Sequence, residues 1–88
     1  MKLFHIPKIE WTSGTLLCYE LIDGQHYPRY SFCVDSTEYV RVDCHSVEQL
    51  FDDDIVTELL NECMPHQISV AYDKKDINDS KPDLLNVL

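Results

Sequence analysis

The sequence is short of glycine, proline and positive charge, and it has no long hydrophobic segment. Two glycines and four prolines among 88 residues exclude a collagen-like or low-complexity chain. No apolar run comes near the ~20 residues that a helix needs to cross a bilayer. His5, Pro7 and Lys8 interrupt the segment where an export signal would lie. We therefore predict a single domain over residues 1–88, since a chain of this length buries one core.

Negative charge dominates the composition. Sixteen acidic residues against seven basic ones give a formal net charge of −9. Such a chain repels phosphate backbones and anionic lipid headgroups, so we expect neither direct nucleic-acid binding nor membrane binding. It attracts basic protein surfaces instead, and many of these are nucleic-acid-binding grooves. The simpler explanation is that net charge keeps a small domain soluble.

The four cysteines are even in number, which in a secreted protein is typical of two disulfides. Cys18 and Cys33 have the apolar neighbours of strand interiors, where a free cysteine acts as a small buried hydrophobic residue. Because no export signal is expected, we predict that all four are reduced and that the protein is cytoplasmic. The other two are Cys44 and Cys63.

The first half of the sequence predicts antiparallel strands. Residues 1–12 carry apolar side chains around Pro7, which removes a ladder hydrogen bond, so they predict an edge strand or an extended arm. The Ser-Gly pair at 13–14 is typical of a turn. Residues 15–22 predict a strand that ends at the Asp-Gly pair at 23–24, a strong hairpin signal.

Two further segments, residues 29–34 and 37–44, alternate apolar and polar side chains on either side of the Asp-Ser pair at 35–36. This pattern predicts a three-stranded antiparallel meander. In the first segment, one face carries Tyr30, Phe32 and Val34. In the second, we expect the inward face to hold Val40, Val42 and Cys44, and the outward face to hold Tyr39, Arg41 and Asp43.

Ser46 opens the helical part of the chain, because Ser46 and Gln49 have the spacing of a capping box. An apolar face then recurs at three- and four-residue steps, through Val47, Leu50, Phe51, Ile55, Leu59 and Cys63. The three aspartates at 52–54 are poor helix interior, so we predict two short helices, the second capped by Asp53 or Asp54, or one helix with a break there. The Met-Pro pair at 64–65 ends the helix.

Residues 67–72 alternate again and predict a last strand, with Ile68, Val70 and Tyr72 on one face. Residues 73–88 predict a polar C-terminal tail, whose apolar end, residues 84–88, could instead dock as a short helix. The fold class is therefore α+β, a β-β-β-α-β core in which an antiparallel sheet of about four strands carries one or two short helices on one face.

The strongest candidate for a binding surface is the acidic stretch over residues 43–62, which contains no lysine or arginine. Two pairs of acids are spaced i,i+4, Glu48 with Asp52 and Glu58 with Glu62, and like charges at this spacing destabilise an isolated helix. A helix that keeps such pairs is expected where the negative charges bind a cationic partner. The alternative is an acidic but merely solvated helix face. The predicted partner-binding carboxylates are Asp43, Glu48, Asp52, Asp53, Asp54, Glu58 and Glu62.

Metal and catalytic sites have less support in the sequence. Cys44 and His45 precede the helical segment, and Cys63 and His66 follow it in a Cys-x-x-His half-site. Consecutive residues on a strand point to opposite faces, and a helix separates the two pairs, so we predict no metal and no cofactor. The absence of nucleophile, phosphate-loop and zinc-protease motifs, in so short a chain, favours a protein that is not an enzyme.

A second candidate surface consists of aromatic and arginine side chains on the sheet face opposite the helices. These residue types are the usual anchors of protein interfaces. The members of this predicted surface are Trp11, Tyr27, Arg29, Tyr39 and Arg41.

In size, charge and α+β form, the chain looks like the varied group of phage- and mobile-element-encoded inhibitors of host defence, anti-CRISPR proteins among them. Nuclease-immunity proteins likewise use negative charge to bind a basic nuclease. That resemblance implies a protein that blocks a basic, nucleic-acid-binding surface of a larger partner in the host cytoplasm. The alternative is a structural or assembly module that forms a homodimer through its aromatic sheet face or a sheet edge.

Overall fold

The computed structural model describes residues 6–88, so the first part of the predicted N-terminal arm, residues 1–5, lies outside the described residues. The chain forms five strands, two α-helices and a final 3₁₀ turn. In order these are β1 (Ile9–Ile22), β2 (Gln25–Val34), β3 (Thr37–Val42), α1 (Val47–Leu50), α2 (Asp53–Asn61), β4 (His66–Asp73), β5 (Asp76–Pro82) and the 3₁₀ turn Leu84–Val87.

The strands make one antiparallel sheet in the order β3-β2-β1-β4-β5, with both helices between β3 and β4. The predicted α+β class is confirmed, and the sheet has five strands where about four were expected. No helix in residues 6–88 has the length and apolar character needed to span a membrane.

The first strand is central and continuous, which contradicts the predicted edge strand and the turn at 13–14. Gly14 lies within β1, opposite Phe32 of β2 and Ile68 of β4. A Cβ at this position would lie 2.6 Å from both the Ser31 carbonyl oxygen and Val70 Cγ2. Glycine is therefore present because neighbouring strands approach closely, and not because the chain turns.

Both predicted hairpin turns are confirmed, and the second one decides which side of β3 is covered. Asp35 and Ser36 have φ values of 51° and 68°, the left-handed conformation of a two-residue hairpin turn. The resulting register places Tyr39 opposite Phe32, and Arg41 opposite Tyr30. Residues directly opposite each other share a sheet face.

The predicted facing of β3 is therefore wrong. Tyr39 and Arg41 belong to the covered face, where the Tyr39 ring stacks on Phe32 at 5.5 Å between centroids. Val40 and Val42 point to the open face and are 42% and 40% exposed. The alternation showed which residues of this strand share a face. Because both faces carry apolar residues, it could not predict which face is buried.

The sheet curls so strongly that its two edge strands approach each other across the covered face. The Tyr30 hydroxyl of β2 lies 2.7 Å from Ser80 Oγ of β5, and Arg41 of β3 donates to Asn78 Oδ1 of β5 at 3.0 Å. In a flat sheet β3 and β5 would be about 19 Å apart, which is beyond the reach of these side chains. A bulge at Leu17 in β1 and the unpaired residues 77–79 of β5 provide part of the curvature.

The concave side of this sheet holds the core, and the two helices and the 3₁₀ turn pack over it. Tyr30, Phe32 and Tyr72 stack with ring centroids about 6 Å apart. The buried residues of the core are Leu16, Tyr30, Phe32, Val47, Val56, Leu59, Ile68, Val70, Tyr72, Leu84 and Val87.

The two short helices confirm the predicted break at the aspartates. Ser46 caps α1 with the reciprocal Ser46–Gln49 hydrogen bonds of a capping box. Asp52, rather than Asp53 or Asp54, is the N-cap of α2, which ends at Asn61 before the Met64–Pro65 cis peptide.

The C-terminal segment, predicted as a polar tail, adds β5 and the 3₁₀ turn to the domain. The alternative of a docked apolar end is the one observed, because Leu84 and Val87 are buried. The sequence of β5 shows no alternation, since an edge strand pairs on one side only and leaves most of its side chains in water.

All four cysteines are free and exposed, so the predicted burial of cysteine is wrong. Cys33 lies on the open face of β2, and Cys18 follows the bulge in β1. Cys44 and Cys63 lie just before and just after the helical segment.

Candidate functional site

The predicted acidic carboxylates fall into two groups. Asp43 is 7% exposed, at the end of β3, and accepts the His45 backbone N–H at 3.2 Å. Glu48 is half-buried and bonded to His26. Neither is available to a partner as a free carboxylate, whereas Asp52, Asp53, Asp54 and Glu58 are exposed.

Glu48 joins α1 to the sheet through two contacts with His26. Its Oε1 accepts the His26 backbone N–H at 2.8 Å, and its Oε2 lies 2.6 Å from His26 Nδ1. Burial raises the pKa of Glu48, but the hydrogen bonds from His26 together lower it by more than burial raises it. The pKa of Glu48 therefore lies below its usual value. The prediction of Glu48 as a partner-binding carboxylate does not fit this position, because α1 ends after one turn and rests against β2.

Glu48→Gln should therefore destabilise the protein by about 1 kcal/mol near neutral pH, a typical cost for a charged hydrogen bond after allowance for its partial exposure. A carboxyl whose pKa is lower in the folded state stabilises it above the unfolded pKa of about 4.3. That contribution is lost as the pH falls through the folded pKa. Urea unfolding of both proteins should show a difference at about pH 6 that narrows toward about pH 3.

Glu58→Gln is the matched control, because Glu58 is an exposed helical glutamate. It should change the free energy of unfolding by less than about 0.5 kcal/mol at either pH. If the two substitutions lower the free energy of unfolding equally and independently of pH, the Glu48–His26 contact adds no stability.

We define the acidic surface as the side chains of Asp52, Asp53, Asp54 and Glu58, all on α2 or its N-cap. Within residues 6–88 these carboxylates make no ion pair, while lysine and arginine pair with acids elsewhere, as in Arg29–Glu20 and Lys74–Glu10. Asp53 and Asp54 lie in the first turn of α2, where the helix dipole favours negative charge. The surface is therefore compatible with a stable helix and is not neutralised by its surroundings.

Glu62 borders this surface and lines a shallow depression with Glu58, Asn61 and Leu88. The cavity measures about 310 Å³. Glu62 is also 3.8 Å from His66 Nε2. A depression with two carboxylates on its wall has the charge to receive a lysine or arginine side chain.

Tyr19 lies in the sheet close to Glu62 and was not singled out in the sequence. Its hydroxyl is buried and has no hydrogen-bond partner in the described part of the chain. Burial, and then the nearby negative charge of Glu62, raise the pKa of Tyr19 to about 12. Nothing in the local sequence distinguishes this tyrosine from the others.

The open sheet face carries part of the second predicted surface. Trp11 is 63% exposed, opposite Ala71 of β4, and Ile9 on the same face is 51% exposed. Tyr27 and Arg29 also face this side, on β2. Tyr39 and Arg41 do not, so the predicted set is divided between the two faces.

At the end of β3, Asp43, Cys44 and His45 come together. Their donor atoms all lie within 4.8 Å of one another, and Cys44 Sγ is 3.2 Å from His45 Nδ1. Cys44 and His45 were expected to point to opposite faces, as neighbours on a strand do. They lie together instead, because β3 ends at Val42 and the following residues form a bend.

Comparison with known proteins finds no matching family model, no matching curated protein and no matching solved structure.

Proposed function

We propose that this protein is an acidic inhibitor that binds a basic, nucleic-acid-binding surface of a larger protein, as phage anti-defence (anti-CRISPR-like) and nuclease-immunity proteins do. The observation that carries the proposal is the acidic surface, with four exposed carboxylates on one short helix and its cap. In this proposal the protein acts by occupying the site, without catalysis or a cofactor, and it works in the cytoplasm of the cell that contains the target.

The physical basis is electrostatic complementarity. A groove that binds nucleic acid presents lysine and arginine side chains at the spacing of phosphates, and closely spaced carboxylates compete for the same cations. Asp54 and Glu58 are four residues apart on α2, and the depression beside Glu58 extends the negative region toward Leu88. Glu62 belongs to the same region, although it is half-buried.

A displacement experiment tests this function. The immobilised protein is used to recover partners from a fraction of nucleic-acid-binding proteins, and each purified partner is loaded with a fluorescent DNA or RNA duplex. We expect the protein to displace the duplex from the partner. The rate at which the protein associates with the partner should fall steeply as salt screens the charges. Binding that leaves the duplex in place, or that is indifferent to salt, contradicts the proposal.

The alternative is an assembly module, and the exposure of Trp11 and Ile9 on the open face favours it. Burial of this face in a homodimer would remove apolar area from water and would depend little on salt. Sedimentation velocity separates the two functions. A dimer that Trp11→Ser dissociates supports the assembly module, and a monomer at all concentrations excludes self-association through this face.

A further inference from the structure

The bend between β3 and α1 gathers three side chains of the kinds that bind transition metals. We propose that Asp43, Cys44 and His45 form a zinc-binding site in which water completes the coordination. This inference does not depend on the proposed function, because none of the three residues belongs to the acidic surface.

The separation of the donors suits zinc. Zn²⁺ binds cysteine sulfur at about 2.3 Å and histidine nitrogen at about 2.0 Å, so two such ligands at a tetrahedral angle lie about 3.5 Å apart. Cys44 Sγ and His45 Nδ1 are 3.2 Å apart, and a carboxylate oxygen of Asp43 is within 4.8 Å of both. To bind one ion, the Asp43 carboxylate would approach the other two donors more closely by side-chain rotation. Cys44 and His45 are exposed, which leaves the fourth position open to water.

The backbone that carries these ligands is held in place on both sides. The Asp43 N–H donates to the Pro28 carbonyl at 2.8 Å, and the His45 N–H donates to Asp43 Oδ1 at 3.2 Å. Immediately afterwards, the capping box fixes Ser46 at the start of α1. The ion therefore meets a bend that is already formed, and binding does not have to order this segment.

Charge and proton chemistry are also consistent with the site. Zn²⁺ binds the thiolate, so binding releases the Cys44 thiol proton to solvent and forms a sulfur–zinc bond in its place. Arg41 is the nearest cation along the chain, two residues before Asp43. Its guanidinium donates to the Val40 carbonyl and to Asn78 Oδ1, both at 3.0 Å.

The sequence contains a second pair of the same residue types, Cys63 and His66, which makes a matched control. Among residues 6–88, Cys63 does not join a three-donor group, and His66 Nδ1 lies 2.8 Å from the Gln67 carbonyl oxygen. Substitution of this pair removes one thiol and one imidazole from the chain, as substitution of Cys44 and His45 does. Only the latter pair should matter for zinc.

The test is a titration of the full, reduced chain with Zn²⁺ against a chromophoric chelator, and with Co²⁺ as a spectroscopic substitute. We expect one ion per chain and a sulfur-to-cobalt charge-transfer band. Cys44→Ser should abolish the band, and Cys44→Ser and His45→Ala should each weaken zinc binding at least tenfold. Asp43→Asn should weaken it less, and circular dichroism should show a folded protein in every case.

Cys63→Ser and His66→Ala should leave the affinity, the stoichiometry and the cobalt band unchanged. Zinc binding that survives both Cys44→Ser and His45→Ala, as binding by another part of the chain would, overturns the proposal. The proposal is also overturned if the wild-type protein binds zinc no more tightly than the Cys44→Ser variant does.

Discussion

Replacing Gly14 by alanine should lower the free energy of unfolding by about 3 kcal/mol, a large part of the roughly 5–15 kcal/mol that keeps a small domain folded. Gly14 is in the middle of the central strand, paired with both neighbouring strands. An added Cβ would lie 2.6 Å from the Ser31 carbonyl oxygen and from Val70 Cγ2. The Ser31 oxygen belongs to the sheet backbone and cannot rotate away, so the strands would have to separate. Urea unfolding measures the loss.

Gly24→Ala is the control for this substitution. Gly24 has a φ of 78° in the first hairpin turn, but an added Cβ would lie within 4 Å of no atom in residues 6–88 beyond its two chain neighbours. Alanine there should cost about 1 kcal/mol, from the left-handed backbone conformation alone. If the two alanines cost the same, the close approach of β2 and β4 to Gly14 does not contribute to stability.

Neutralising the acidic surface should slow association with a basic partner by about 10–100-fold at low salt. The variant carries Asp52→Asn, Asp53→Asn, Asp54→Asn and Glu58→Gln. It should remain folded, because these side chains are exposed and asparagine is also a good N-cap residue. Loss of the favourable charges at the start of α2 should cost about 1 kcal/mol in stability. Stopped-flow mixing with the partner recovered in the displacement experiment measures the rate.

The control variant changes the net charge by the same amount at exposed acids elsewhere, with Asp23→Asn, Asp35→Asn, Glu38→Gln and Asp79→Asn. Both variants carry four fewer negative charges, so the net charge of each is −5 instead of −9. If only the first variant associates slowly, the position of the charges on α2 is responsible. Equal rates in the two variants would show that total charge steers the encounter and that the acidic surface is not the contact site.

Comparing Trp11→Ser with the neutralised acidic surface shows which of the two candidate surfaces binds the partner. A Trp11→Ser variant that loses partner binding, while the neutralised acidic surface keeps it, would place the interface on the open sheet face. Trp11 is 63% exposed, so this change should leave the stability within about 0.5 kcal/mol of the original.

Local sequence patterns determined the first two hairpin turns, the helix start and the charge of this protein. The Asp-Gly and Asp-Ser pairs end strands because these residues accept positive φ, and the capping box of α1 forms between Ser46 and Gln49, three residues apart. The three aspartates broke the helical segment where expected. Each of these features depends on interactions within a few residues along the chain, which is why the sequence alone could predict them.

Tertiary structure decided the features that depend on residues far apart in the sequence. Tyr39 is covered because a hairpin turn sets its register, and β5 forms because β4 offers it a backbone partner. Glu48 is bonded because His26, 22 residues earlier, lies beside α1. The alternation of a strand shows that its two faces differ, but the face that is buried is chosen by what packs against it. The sequence showed that α2 and the residues before it are acidic. Only the packing showed that Asp43 and Glu48 are engaged within the fold while the acids of α2 are exposed.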